Sequence, residues 1–181
     1  MSRAAPAWLV AVTAAVAFTA CDNPQATHEH THDAAFARVG AGQLGATAEQ
    51  VKQVTSRFNS TVQATKAGYV EASPCVAVPG LGGMGHHYVN FGYVDPVFNP
   101  LEPEALLYEP AKNGQHRLIG VEYVVIDVGQ PAPTFDGHPF DVGGEPGLTA
   151  AGVDHWTLHA WVHEANPSGL HAPFNPNVVC P

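Results

Sequence analysis

Leu118-Ile119-Gly120-Val121-Glu122-Tyr123-Val124-Val125-Ile126 is the stretch whose reading decides the fold. Strand alternation puts Leu118, Gly120, Glu122, Val124 and Ile126 on one face and Ile119, Val121, Tyr123 and Val125 on the other. Glu122 apart, both faces are apolar, and a short apolar run of this kind belongs in the middle of a sheet. An unpaired carboxylate there is costly, so Glu122 calls for a cation, whether arginine or metal. Arginine is scarce: after Arg3 there are only Arg38, Arg57 and Arg117, and alternation sets Arg117 on the face away from Glu122.

The flanking segments keep the two-residue period. His87 to Phe91, Glu104 to Glu109, Arg117 to Val128 and His155 to Glu164 are predicted strands, and the second and third form a β-hairpin. Pro/Gly turns separate them at Asn99-Pro100, Asn113-Gly114, Gly143-Gly144 and Asn166-Pro167. Before Pro74 the period is helical. Thr47 with Gln50 has the form of a capping box, and Val51, Val54, Phe58, Val62 and Tyr69 line one face of a helix ending near Gly68. The expected fold class is α+β: one N-terminal amphipathic helix packed on an antiparallel sheet or half-barrel of short strands.

The chain divides into three parts. Residues 1–20 have a positive start at Arg3 and an uncharged apolar run from Ala7 to Ala20, the form of a signal peptide. Phe18-Thr19-Ala20-Cys21 resembles a lipobox, with Cys21 as the lipidation site. Residues 21–45 form a polar linker, and 46–181 form a single globular domain. The expected location is the bacterial cell envelope, outside the cytoplasm, with the membrane as partner through the lipid. The chain carries 16 acidic against 7 basic side chains and a net charge of -9, which opposes nucleic-acid binding and favours cations. With Cys21 consumed, Cys75 and Cys180 remain, and outside the cytoplasm two cysteines read as one disulfide. Closing that loop is worth on the order of 4–5 kcal/mol in the chain-entropy model. Two free thiols or a pair of thiolate ligands are the alternative.

Gly80, Gly82 and Gly85 match a dinucleotide-binding spacing. Pro79 precedes them and a strand follows, the reverse of the context that motif requires, so the glycines are expected in a tight turn. Histidine is the anomaly, with 11 in 181 residues. His28, His30 and His32 alternate in the linker, where a flexible tract can wrap a transition-metal ion. His155, His159 and His163 are four apart, which on a strand separates them by about 13 Å. Ligands stand about 2.0–2.2 Å from an ion, so only one of the three can join a given site. His86 and His87 likewise face opposite ways. A centre must therefore gather single residues from several strands: His87, Glu122 and His159, with Glu104 as a fourth ligand, around Zn or Cu. Two metal-free arrangements also satisfy the pattern, a buried hydrogen-bond network and an acid/base pair.

Gly83-Met84-Gly85-His86-His87-Tyr88-Val89-Asn90, Pro103-Glu104-Ala105-Leu106-Leu107-Tyr108-Glu109-Pro110, Gly120-Val121-Glu122-Tyr123, Leu158-His159-Ala160-Trp161, Asn166-Pro167-Ser168-Gly169 and Pro173-Phe174-Asn175-Pro176-Asn177 carry a resemblance. The chain from Gly68 to Cys180 is similar to a group of exported bacterial proteins without an assigned activity. The resemblance implies a shared fold and a pattern centred on His87 and His159, and it brings no reaction. Three functions fit these observations: a tethered metal-binding module, a structural or interaction lipoprotein, and a small metal-dependent enzyme.

Overall fold

The structure, a computed structural model, describes residues 45–112 and 114–181. The signal segment, Cys21 and the His28, His30 and His32 tract lie outside the described residues. The fold is mostly antiparallel sheet with few helices. Its helical part is not the single helix expected. It forms α1 (Ala46–Thr55), a 3-10 turn (Ser56–Phe58) and α2 (Thr61–Lys66). Hydroxyls cause the break. Thr55 Oγ1 donates to Val51 O at 2.6 Å, Ser56 Oγ donates to Lys52 O at 2.6 Å, and Ser60 accepts from Val62 N to cap α2. Such bonds compete with the helix ladder. The expected Thr47 capping box does not form either, because α1 starts from an extended Gly45 with no side-chain cap. Termination follows the reading: Gly68 takes φ +97°, and Tyr69 N donates back to Ala64 O.

Beyond the helices run β1 (Val70–Glu71), β2 (Val76–Val78), β3 (Gly82–Val89), β4 (Ala105–Pro110), β5 (His116–Ile126), β6 (Thr134–Phe135), β7 (His138–Pro139), β8 (Asp141–Val142), α3 (Pro146–Ala150) and β9 (His155–Ala160). The main sheet has the order β1-β3-β4-β5-β9-β8, with β2 paired to the start of β3; β6 and β7 form a separate ribbon. β5 is therefore interior, as its two apolar faces require. One face carries the main core, where Ala48, Val51, Phe58 and Ala64 pack with sheet residues such as Leu106, Tyr123 and Leu158. Leu107, Ile119, Trp161 and Val178 make a smaller cluster.

The alternation in β5 is not continuous. Leu107 pairs with Gly120 and Tyr108 with Leu118, leaving Ile119 as the extra residue of a bulge. Leu118 consequently joins Val121 and Tyr123 in the main core, and Ile119 joins the smaller cluster, a swap of the faces expected for these two. The Ile119 carbonyl receives the N–H groups of both His163 and Glu164. The last strand likewise stops at Ala160 rather than Glu164, because Trp161 N turns to Leu170 O.

Gly82 and Gly85 lie within β3, not in a turn. Both have positive φ, and a Cβ at Gly82 would overlap the Asn175 carbonyl, while one at Gly85 would overlap that of Tyr108. They let β3 exchange neighbours. Its first half runs beside β2 and bridges Asn175, and its second half runs between β1 and β4. Cys75 and Cys180 form the disulfide, with Cα atoms 5.6 Å apart. It ties the segment before β2 to the C-terminal segment that bridges β3.

Two glycines separate backbone conformation from steric room. Gly129 has φ +93° with nothing near its missing Cβ, so Gly129→Ala is expected to cost about 1–2 kcal/mol. Gly85→Ala adds the clash with Tyr108 and should cost several kcal/mol, on the order of a severe core mutation. Thermal denaturation of the two variants checks this; equal losses would remove the argument for close approach.

Candidate metal centre

Glu122 on β5 pairs directly with His159 on β9 and with Ala105 on β4. His87 is two strands from β5, opposite Leu107. Adjacent strands stand about 4.8 Å apart, so two long side chains must close the gap across β4, and Ala105 offers only a methyl group between them. The result is a tight group. His87 Nε2 is 3.5 Å from one Glu122 oxygen and His159 Nε2 is 4.0 Å from the other. One ligand atom from each residue lies within 4.8 Å of the others. All three residues are buried, at 8%, 4% and 7% exposure for His87, Glu122 and His159.

The electrostatics follow from that burial. Desolvation pushes the His87 imidazole down to about 4 and the His159 imidazole down to about 3, each helped by a neighbouring histidine. Desolvation pushes the Glu122 carboxyl up to about 8, with the Glu145 and Glu104 carboxylates adding to it. Burial thus favours the uncharged form of all three groups, which works against ion pairing across these approaches. The approaches are also longer than good hydrogen bonds, and the buried Nε2 of His159 has no hydrogen-bond partner. An orphaned buried acceptor or donor is costly. Ligand atoms around a four-coordinate ion with bonds of about 2.0–2.2 Å would stand about 3.4 Å apart, matched by the 3.5 Å between His87 and Glu122 and shorter than the 4.0 Å between His159 and Glu122, so a small closing movement would seat an ion. Two imidazoles and one carboxylate make a donor set that divalent transition metals accept, and the buried group could hold a metal ion.

Ser73, which sequence reasoning missed, prepares His87. Ser73 Oγ lies 2.9 Å from His87 Nδ1, accepts from His87 N at 3.3 Å and donates to Pro74 O at 3.1 Å. A hydroxyl has one proton. With that proton on Pro74 O, all three contacts are hydrogen bonds only if His87 Nδ1 carries its own proton and donates it to Ser73. The Nε2 lone pair is then free to face Glu122, the arrangement a metal ligand needs. No local pattern flags Ser73, because its approach to His87 is created by pairing across β3, where Ala72 N donates to His87 O.

The other described histidines are engaged elsewhere. Of the three spaced by four, only His159 enters the group. His155 accepts at Nε2 from Glu145 N, and His163 Nε2 lies 2.8 Å from Thr55 Oγ1. His86 points away from His87 to Glu71, and His171 donates from Nδ1 to the His159 carbonyl. Glu104, expected as a fourth ligand, is not brought in. It precedes Ala105 and so faces the other way, and its carboxylate accepts from Val124 N where the β4 ladder begins. Arg117 bridges Glu109 and Glu164 and does not reach Glu122.

The group opens into a cavity of about 690 Å³. This is within the usual range of small-molecule sites. Were an ion held here, three protein ligands facing such a space would leave it a position for water or another molecule, whereas structural sites close with four protein ligands. No protein-family model, curated protein or solved structure matches the chain.

Loss of a metal ligand's outer partner typically weakens binding about 10–100-fold. Ser73→Ala is expected to lower Zn²⁺ affinity within that range, and Ser73→Thr, which keeps the hydroxyl, should restore most of it. Competition titration with a chelating dye measures both; an unaffected Ser73→Ala protein would remove the proposed tautomer control.

Proposed function

We propose that this chain binds one divalent transition-metal ion, Zn²⁺ or Cu²⁺, through His87 Nε2, Glu122 and His159 Nε2, and leaves the ion open to a second molecule. The observation carrying this reading is the buried His159 Nε2, which lacks a hydrogen-bond partner while facing a carboxyl 4.0 Å away. A purely structural network would use that atom. The ion would supply an exchangeable coordination position and Lewis acidity, and the protein would supply a dry, shaped wall around it.

The same proposal places the chain in the bacterial cell envelope, held by lipid on Cys21 after removal of residues 1–20. The resemblance to exported proteins around His87 and His159 belongs to this proposal. The lipobox-like Phe18-Thr19-Ala20-Cys21 supports this, and so does the Cys75–Cys180 disulfide, a bond rarely kept in a reducing cytoplasm. The His28, His30 and His32 tract would offer incoming ions a weak first stop. Cys21→Ala, expressed in a bacterial host, should shift the protein from the detergent-extracted membrane fraction to the soluble one; unchanged fractionation would end the tethering proposal.

Glu122→Gln tests the centre. The variant keeps the side-chain volume and should fold, yet lose more than the about 100-fold upper range of an outer-partner loss. The pH dependence has a definite sign. Metal binding needs the carboxylate, and the proton it displaces is held up to about pH 8. Affinity should therefore rise with pH by about tenfold per unit and level off above 8. His87 and His159, already neutral well below pH 6, add no slope there. Unchanged Zn²⁺ affinity in Glu122→Gln, measured with His28, His30 and His32 replaced by alanine, would leave the structural network as the function of these residues.

A further inference from the structure

The cavity over the centre has one sign of charge. Besides Glu122, its wall includes Asp141 and Glu145, and no described lining residue is lysine or arginine. The nearest described arginine on β5, Arg117, is engaged by Glu109 and Glu164. The acidic wall is also held in place. β8 pairs with β9, with Asp141 opposite Thr157, and the Thr157 hydroxyl donates to Gly143 O at 2.7 Å. Glu145 N donates to His155 Nε2 at 3.0 Å. β9 thus carries one metal ligand and, two and four residues before it, both anchors of the wall. Glu145 also takes the Gly147 N–H at the start of α3, which removes a donor that an anion would need. The rest of the wall is largely apolar, including Ala72, Val76, Met84, Val89, Pro146 and Pro173.

A phosphate, sulfate or carboxylate approaching the ion would meet two wall carboxylates, with no lysine or arginine of the lining to offset them and only the ion itself to attract it. An uncharged donor escapes that repulsion, and its carbon atoms find apolar contacts. Resting on the metal reading above, we propose that the open position takes a small molecule with an uncharged donor atom and an apolar body, an unprotonated amine, an imidazole or a carbonyl compound, and turns anions away. The acidic wall is the selectivity element of the site, and it acts on charge.

The test uses the full chain with His28, His30 and His32 replaced by alanine and loaded with Co²⁺, whose visible bands report coordination. 4-Methylimidazole and azide serve as neutral and anionic probes. Co²⁺ bands that Glu122→Gln abolishes establish the centre before either probe is added. The concentrations at which 4-methylimidazole and azide perturb the bands of the otherwise unaltered protein set the reference for each probe. In Asp141→Asn/Glu145→Gln the azide affinity should rise about tenfold while that of 4-methylimidazole moves by less than about twofold. Azide affinity that stays the same in the double variant overturns the selectivity proposal and leaves the centre intact. Absence of Co²⁺ bands dependent on Glu122 overturns the centre and the selectivity proposal together.

Discussion

One carboxyl group on an interior strand governs this structure. Glu122 is almost fully enclosed, has no arginine or lysine beside it, and lies between two imidazoles that burial keeps neutral. A fold can tolerate this only by keeping a proton on the carboxyl or by supplying a cation. The architecture provides room for the second solution. β4 places alanine, not a larger residue, next to Glu122, the arginine on its own strand is tied to Glu109 and Glu164, and one wall of the group opens on a cavity. A proton and an ion held here would compete for the same oxygen atoms, so the state of the site would depend on both pH and metal supply.

The sheet does more than bring three residues together. β3 and β9 lie on either side of the β4–β5 hairpin, and each brings one imidazole to the same carboxyl together with the means of fixing its surroundings. β3 receives Ser73 through backbone pairing, and Ser73 orients His87. β9 holds the acidic wall through Thr157 and His155 while His159 reaches the centre. Because the supports lie on or pair with the ligand-bearing strands, the geometry rests on regular backbone and not on loop conformation, which is how sites keep their precision.

The convergence of His87, Glu122 and His159 was legible because strand alternation is a hard constraint: residues two apart share a face, and residues four apart are too distant to share an ion. The apolar character of both faces of β5 likewise announced an interior strand. Glu104 was misassigned for an instructive reason. Its chemistry suits a metal ligand, but parity along β4 puts it with Leu106 and Tyr108 against the helices, and parity outranks residue type. The bulge at Ile119 was invisible because it arises from pairing between strands; a single sequence carries no mark for an extra residue in a run of aliphatics. The break between α1 and α2 and the strand placement of Gly82 and Gly85 escaped for related reasons. Hydroxyl back-bonding competed with a sound periodicity in the first case, and close backbone approach demanded glycine in the second.

The Cys75–Cys180 bond has a topological consequence. It closes the chain into a covalent ring of which His87, Glu122 and His159 are all members, together with every strand from β2 to β9. A single peptide-bond cleavage anywhere on that ring, such as at the exposed Gly129 or Val142, yields two polypeptides that stay joined by the sulfur link as well as by the ladder. Both pieces remain attached to whatever holds the chain ahead of Cys75. Nicking is thereby uncoupled from loss: the domain can be cut once and still keep all three site residues on one covalent body.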